Sequence, residues 1–450
     1  MGFKKDFVWG AASASYQIEG AYKDGGKGLS VWDTFTRKEN TIFDKSNGDV
    51  ACDHIRLYKE DVSLMKQIGL QAYRFSVSWP RVINFETGKI NKEGLDFYDR
   101  LVDELIANGV DPWVTLFHWD YPYALYKQGG WLNPSSSDWF ADYSRIVAEK
   151  LSDRVNNWFT LNEPHCFVNL GHKDGIHAPG DKLGMKQIFE IIHNALLAHG
   201  KSVQAIRGAA KNPVKIGFAP PASVCCPATN SPRDIDAAVR GNFTGELQNI
   251  WSLDLWLDPV YKGNYSDDTF SRYAEFMPEI KDGDMKTINQ NLDYCGVNIY
   301  QGFSVSGEDN NQIKRIYHDA GYARTAIGWP VVPESLYWGA KFLYERYGKP
   351  IVIAENGMSS HDWVFRDGHV HDAQRIDFLE RYLSSLKKAA DEGVPVDGYF
   401  HWSLTDNFEW AYGYTERFGL IHVDYKTQKR TLKDSALWYK KVIETNGEAI

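Results

Sequence analysis

Two short segments carry residue types from which bond-breaking chemistry could be built: Thr160-Leu161-Asn162-Glu163-Pro164 and Ile353-Ala354-Glu355-Asn356-Gly357. Each sets a carboxylate beside an asparagine, just after an apolar, β-prone run. Paired carboxylates at the ends of two strands are the minimum equipment for breaking a glycosidic bond. Glu163 and Glu355 lie too far apart in sequence for a local salt bridge or a shared helix face to explain them. Retaining hydrolysis needs one neutral carboxylic acid to protonate the leaving oxygen, and one ionised carboxylate ~5–5.5 Å away to attack the sugar carbon. The two therefore need opposite environments, one raising a pKa and one holding charge. Glu163, between Asn162 and Pro164, is expected to be the acid/base, and Glu355 the nucleophile. Arg74 is the cation expected to keep Glu355 ionised, and Tyr300 can donate a hydrogen bond to the same carboxylate.

A sugar ring also needs hydrogen-bonding partners and a flat apolar wall. Gln17, His118 and Asn162 supply neutral donors and acceptors, and Glu409 can accept from two adjacent hydroxyls at a non-reducing end. Trp119, Trp402 and Trp410 offer faces for the ring's C–H bonds, and Phe418 joins the same candidate set. Lone histidines are more often structural than ligating, so His54, His193, His199 and His401 receive no role. No HExxH motif or clustered His/Asp set points to a metal, and no metal or cofactor is expected.

These residues must be carried by elements that converge. Ile55, Tyr58, Val62, Met65 and Ile68 recur at helical spacing, Gly69 closes that helix, and a strand over 72–79 follows. The order returns late in the chain: a stripe of Ile376, Leu379, Leu383, Leu386 and Ala390, a stop at Gly393 and Pro395, then a strand over 396–402. Eight strands are expected near 8–14, 72–79, 112–118, 156–162, 214–219, 293–300, 350–355 and 396–402, most of them separated by helical patterns. Strands alternating with helices pair in parallel through right-handed crossovers. The expected class is α/β, a (β/α)8 TIM barrel with extended loops at the C-terminal face and residues 1–450 forming one domain. No GxGxxG or Walker loop follows an early strand, which disfavours a doubly wound open sheet. Gln17, Arg74, His118, Asn162-Glu163, Asn298, Tyr300, Glu355 and Trp402 fall at or just beyond the ends of seven of these strands. Barrel active sites sit at the C-terminal strand ends.

Composition narrows the function classes. The net charge of −9 and the lack of a basic stripe argue against nucleic acid. The 14% aromatic content, with 16 Trp and 25 Tyr, is what sugar-stacking sites require, although most such rings fill cores. Five scattered cysteines (Cys52, Cys166, Cys225, Cys226, Cys295) without CxxC spacing favour reduced thiols. The apolar run after Lys4-Lys5 is too short for a signal peptide and reads as the first strand, and no stretch approaches a transmembrane length. A cytoplasmic protein without membrane or nucleic-acid partners is expected. The oligomeric state stays open.

The chain resembles glycoside hydrolase family one, the β-glucosidases and their relatives, from Phe7-Val-Trp-Gly-Ala-Ala-Ser-Ala-Ser-Tyr-Gln-Ile-Glu-Gly20 to Lys433-Asp-Ser-Ala-Leu-Trp-Tyr439. Its most specific pieces are Thr-Leu-Asn-Glu-Pro at 160–164, Glu-Asn-Gly at 355–357, and Trp402-Ser-Leu-Thr-Asp-Asn-Phe-Glu-Trp410. The resemblance implies a (β/α)8 barrel, net retention and no cofactor, with Glu163 as acid/base and Glu355 as nucleophile. It also implies that Gln17, His118, Trp119, Asn162, Glu409 and Trp410 hold the non-reducing sugar. By the same resemblance Trp329 is the leaving-group platform, and Asn298 and Tyr300 stand beside the nucleophile. The activity it implies is a retaining, exo-acting β-glucosidase that takes β-glucosides or oligosaccharides. A β-galactosidase or β-fucosidase, a transglycosylase and a non-catalytic sugar-binding protein are the alternatives. Phospho-β-glycosidases replace the Glu-Trp of the 409–410 segment, and myrosinase-like members lack the acid, so both are set aside. Ala354, Pro330, His165, Asn169, His172 and Lys173 depart from the family pattern, which implies an altered leaving-group pocket.

Overall fold

The computed structural model describes residues 2–450. Eight strands form its centre: β1 (Val8–Ser13), β2 (Ala72–Ser76), β3 (Asp111–Phe117), β4 (Asn157–Asn162), β5 (Lys215–Ala219), β6 (Tyr294–Gly307), β7 (Ile351–Asn356) and β8 (Val396–Trp402). Each pairs in parallel with the next, from β1–β2 to β4–β5. The β5–β6, β6–β7, β7–β8 and β8–β1 pairings close the ring. Helices such as His54–Ile68, Lys92–Ala107, Ser136–Leu151, Met185–Ala209, Glu334–Tyr347 and Ala373–Asp391 supply the crossovers. The result is a (β/α)8 barrel.

Local sequence explains the elements. The strands are covered on both faces, so β2 and β7 are buried throughout, as in other parallel sheets. The His54–Ile68 helix turns Tyr58, Val62, Met65 and Ile68 inward and ends at Gly69, whose φ of 80° suits the left-handed cap. Aromatic rings fill the barrel interior: Trp113 lies 6.1 Å from Phe159, 5.6 Å from Tyr294 and 4.9 Å from Phe400. Gly217 leaves the space for one of them, since a Cβ there would sit 2.1 Å from the Tyr294 ring.

The expected strand over 72–79 stops at Ser76, and Trp79–Val82 forms a helical turn. Pro80 within that turn has no N–H to give a ladder, and its fixed φ suits a helix start. The expected strand over 293–300 instead runs from Tyr294 to Gly307. Its outer half pairs in parallel with Pro221–Pro227 and antiparallel with Ile313–Ile316, which extends the sheet beyond the barrel. Arg74 is the third residue of β2 rather than a strand-end residue.

The loop after β8 is anchored by buried ions. Asp406 accepts from Lys433 at 2.6 Å, from Arg417 at 2.5 Å and from the backbone N–H of Gly419 at 3.0 Å. Lys433 also reaches Asp362 at 2.5 Å, and Arg375 reaches the same carboxylate at 2.7 Å. Charges this deeply buried are tolerated only when paired and hydrogen-bonded. They fix the segment that bears Trp402, Glu409, Trp410 and Phe418.

Candidate active site

A cavity of about 550 Å³ opens at the C-terminal ends of the strands. Glu163 follows the last residue of β4, and Glu355 is the fifth residue of β7. Both line the cavity while keeping only 7% and 3% of their surface exposed. Glu163 has a φ of 46°, a left-handed conformation that a side chain adopts reluctantly, and it starts the short helix Pro164–Cys166. Trp119 and Trp410 also have positive φ, 79° and 51°. Three such residues around one cavity mark a backbone held in place by its surroundings.

The carboxylates belong to one hydrogen-bonded network. Arg74 donates from Nη1 to Glu355 Oε1 at 2.6 Å and to the Ala354 carbonyl at 3.1 Å. Its Nη2 donates to Asn162 Oδ1 at 2.6 Å, and the ring of Phe159 lies 4.8 Å beneath the guanidinium. Tyr300 donates its O–H to Glu355 Oε2 at 2.7 Å. Asn298 Nδ2 donates to Glu163 Oε1 at 2.9 Å and to Asn162 Oδ1 at 3.0 Å. The Cys166 thiol donates to Glu163 Oε2 at 3.0 Å.

That pattern fixes a tautomer. Asn162 Oδ1 already accepts from Arg74 and Asn298, so its Nδ2 donates to His118 Nε2 at 2.9 Å. Burial, then the Arg74 charge, push His118 well below its usual pKa, so the ring is neutral. With Nε2 accepting, the proton sits on Nδ1.

The two carboxylates feel different fields. Burial raises Glu163 to about 7, the Glu355 charge adds to the rise, and Cys166, Asn298 and Arg74 oppose it. Burial also raises Glu355, but the Arg74 charge in contact with it and the Tyr300 O–H pull it back, and Asn298 helps. Glu163 therefore has the surroundings of a proton donor, and Glu355 those of a held anion. Burial lifts Glu409 as well, well above the usual carboxylate range, aided by the charges of Glu355, Glu416 and Glu163. Among the described residues, no cluster of three or more His, Cys, Asp or Glu side chains could hold a metal ion.

His118, Trp119, Trp402, Glu409, Trp410 and Phe418 line the cavity together with the carboxylates, and Asn298, Tyr300 and Trp329 complete the far wall. Trp119 gives its indole N–H to the Asn162 carbonyl at 2.9 Å, so only its face is free. Its ring lies 4.4 Å from that of Trp410. Gln17, Asn162 and Arg74 sit behind the cavity wall and do not line it. Gln17 Nε2 is aimed at three acceptors, Asn407 Oδ1, the Phe408 carbonyl and Glu409 Oε2, which ties the Glu409 loop to the helical turn Ser15–Ile18 after β1. Its Oε1 is buried without a hydrogen-bond partner among the described residues.

The expected effect of His165, Asn169, His172, Lys173 and Pro330 on the pocket needs correction, because none of them lines the cavity. The segment 167–173 winds as a π-helix, which directs Leu170 to the cavity. His165 packs instead on Trp256, with ring centroids 4.7 Å apart. Ala354 is fully buried within β7. The residues that do shape the outer cavity are Cys166, Leu170, Ile176, Trp251, Gln301 and Ile327. Cys166 alone had a sequence signal, since it falls one helical turn after Glu163.

A model of the family described as "Glycosyl hydrolase family 1" matches residues 1–448. The chain is 44% identical over 449 residues to beta-glucosidase A of Thermotoga maritima, covering 99% of this chain and 98% of that protein. It is 43% identical over 449 residues to the 1,4-beta-D-glucan glucohydrolase of Thermotoga neapolitana, covering 99% of each. The solved structure of a beta-glucosidase from Thermotoga maritima in complex with glucoimidazole matches with a TM-score of 0.90 at 43% identity, over 99% of each chain.

Proposed function

Because the chain belongs to glycosyl hydrolase family 1, we propose that Glu355 and Glu163 divide the work of a retaining, exo-acting β-glucosidase. The enzyme removes terminal non-reducing β-D-glucosyl residues in two displacements. Glu355 attacks the anomeric carbon and forms a glycosyl-enzyme, while Glu163 gives its proton to the departing oxygen. Glu163, now ionised, takes a proton from water, whose oxygen attacks the same carbon and releases Glu355. Two inversions leave the configuration retained.

The observation that carries this reading is the contrast between the two carboxylates. Arg74 and Tyr300 hold Glu355 as an anion, whereas the donors to Glu163 among the described residues, Asn298 and Cys166, are uncharged. Asn298 faces both carboxylates. One amide placed between them suits the short spacing of a retaining pair better than the ~6.5–9.5 Å that an inverting pair needs for its water. His118, Glu409, Trp402 and Trp410 would receive the glucosyl ring, with Gln17 and Asn162 fixing them from behind. Trp329 and Phe418 would face the leaving group. Arg74 is already committed to Glu355, and beside Glu355 and Glu409 a phosphorylated sugar would meet carboxyl groups rather than a cationic partner.

The substrate is a small β-glucoside or oligosaccharide, and residues 1–450 act as one domain. We place the protein in the cytoplasm, where its five buried free cysteines would stay reduced. The test is initial-rate kinetics on nitrophenyl β-glucoside, nitrophenyl β-galactoside and a phosphorylated β-glucoside, with Glu355→Gln as control. Fast glucoside turnover that the folded variant loses is expected. Near-wild-type rates in the variant would remove Glu355 from the nucleophile role.

A further inference from the structure

The acid/base carboxyl is held by two donors, and one of them is unusual. Asn298 occupies Oε1, and the Cys166 thiol occupies Oε2 at 3.0 Å, close for a sulfur donor. Cys166 reaches it because Glu163, in its left-handed conformation, starts the one-turn helix that Cys166 ends. The thiol also lines the cavity, beside Leu170 on the leaving-group side. Burial, with Glu163 next to it, keeps this thiol far above its usual pKa, so it stays S–H and acts as a donor rather than a nucleophile. A thiol is a weak donor. It can aim the carboxyl without strongly stabilising the ionised form.

We propose that Cys166 is a positioning residue for the acid/base of the β-glucosidase reaction: its S–H orients Glu163 Oε2 toward the leaving-group side of the cavity, and as a soft donor it leaves Glu163 able to hold its proton. Neighbouring polar groups do not replace it, since Arg74 and Tyr300 are committed to Glu355. The inference rests on Glu163 being the acid/base.

The sign of each change follows from which form the donor favours. A donor to the carboxylate favours ionisation, so removing it raises the Glu163 pKa and strengthening it lowers the pKa. In Cys166→Ala the alkaline limb of kcat/KM should move up, and in Cys166→Ser, whose hydroxyl donates more strongly, it should move down, each by about half a pH unit or more. Cys166→Ala should also slow an alkyl β-glucoside, which needs protonation, more than dinitrophenyl β-glucoside, which does not. A purely packing role would leave the limb in place and slow both substrates alike. Wild-type limbs in both variants would overturn the proposal; if one variant misfolds, the limb of the other decides. Glu163→Gln is the control for the underlying reading. An alkaline limb that persists there would mean that Glu163 is not the acid/base, a failure distinct from an unmoved limb in the Cys166 variants.

Discussion

Tyr300→Phe isolates one hydrogen bond at Glu355, the proposed nucleophile. The phenol O–H donates to Glu355 Oε2 at 2.7 Å, while the ring packs 5.2 Å from Trp329 and 6.2 Å from Phe418. Phenylalanine keeps that packing and removes only the donor. A hydrogen bond to a charged group contributes ~1.5–3 kcal/mol, equivalent to ~1–2 pKa units. The bond favours the ionised carboxylate, so its loss raises the Glu355 pKa. With Glu355 as the proposed nucleophile, the acidic limb of kcat/KM reports the loss of its charge and should therefore move up by ~1–2 pH units. Below that limb the rate follows the ionised fraction, so activity there should fall ~10–100-fold. The alkaline limb, assigned to Glu163 as the proposed acid/base, should stay near its wild-type position because Glu163 keeps both donors. Initial rates on nitrophenyl β-glucoside well below KM, followed across pH, give both limbs in one experiment. An unmoved acidic limb in a folded variant would refute the assignment of Tyr300 as the donor that holds the nucleophile ionised. Movement of the alkaline limb alone would exchange the roles of the two carboxylates.

In the wild-type enzyme kcat/KM should decline on the alkaline side with an apparent pKa near 7, since burial and the Glu355 charge raise Glu163 to about 7; a decline at ordinary carboxylate values would contradict this. Arg74→Met strips Glu355 of its cation and Asn162 of a donor; removing one partner of a buried pair costs ~3–5 kcal/mol. Chemical denaturation should show that loss together with a steep fall in kcat, and a fully active, stable variant would show that Arg74 does not support the nucleophile. Gly217→Ala would press a methyl against the Tyr294 ring, where an added Cβ lies 2.1 Å away. Overpacking of this kind costs ~1–3 kcal/mol, so the denaturation midpoint should fall; an unchanged midpoint would mean that the barrel interior yields there.

Periodicity was enough to read the barrel. All eight expected strands exist, and six of them match within a residue at each end, because covalent chain order and burial on both faces impose long apolar runs between amphipathic helices. The two larger misses have local causes. Pro80 ended one strand early, and the long β6 continues outside the barrel, where pairing with Pro221–Pro227 and Ile313–Ile316 rather than sequence pattern sets its length.

The sequence by itself determined which groups were present and which strands would carry them: Glu163 after β4, Glu355 on β7, Arg74 on β2 and Tyr300 on β6. These are rigid positions, so motif and strand end together fix where a side chain starts. The sequence also named Arg74 and Tyr300 as the partners of Glu355, and the structure places both there; only the tertiary structure decided what Glu163 touches. It set Asn298 and Cys166 on that carboxyl, where the sequence had placed Asn298 beside Glu355 and given Cys166 no role. It also moved Gln17 behind the wall and turned the departing residues His165 and Asn169 away from the cavity in favour of Cys166, Leu170 and Ile176. The direction of a loop side chain depends on contacts from distant segments, and so does the burial that raises the Glu163 pKa. Neither leaves a local trace in the order of residues.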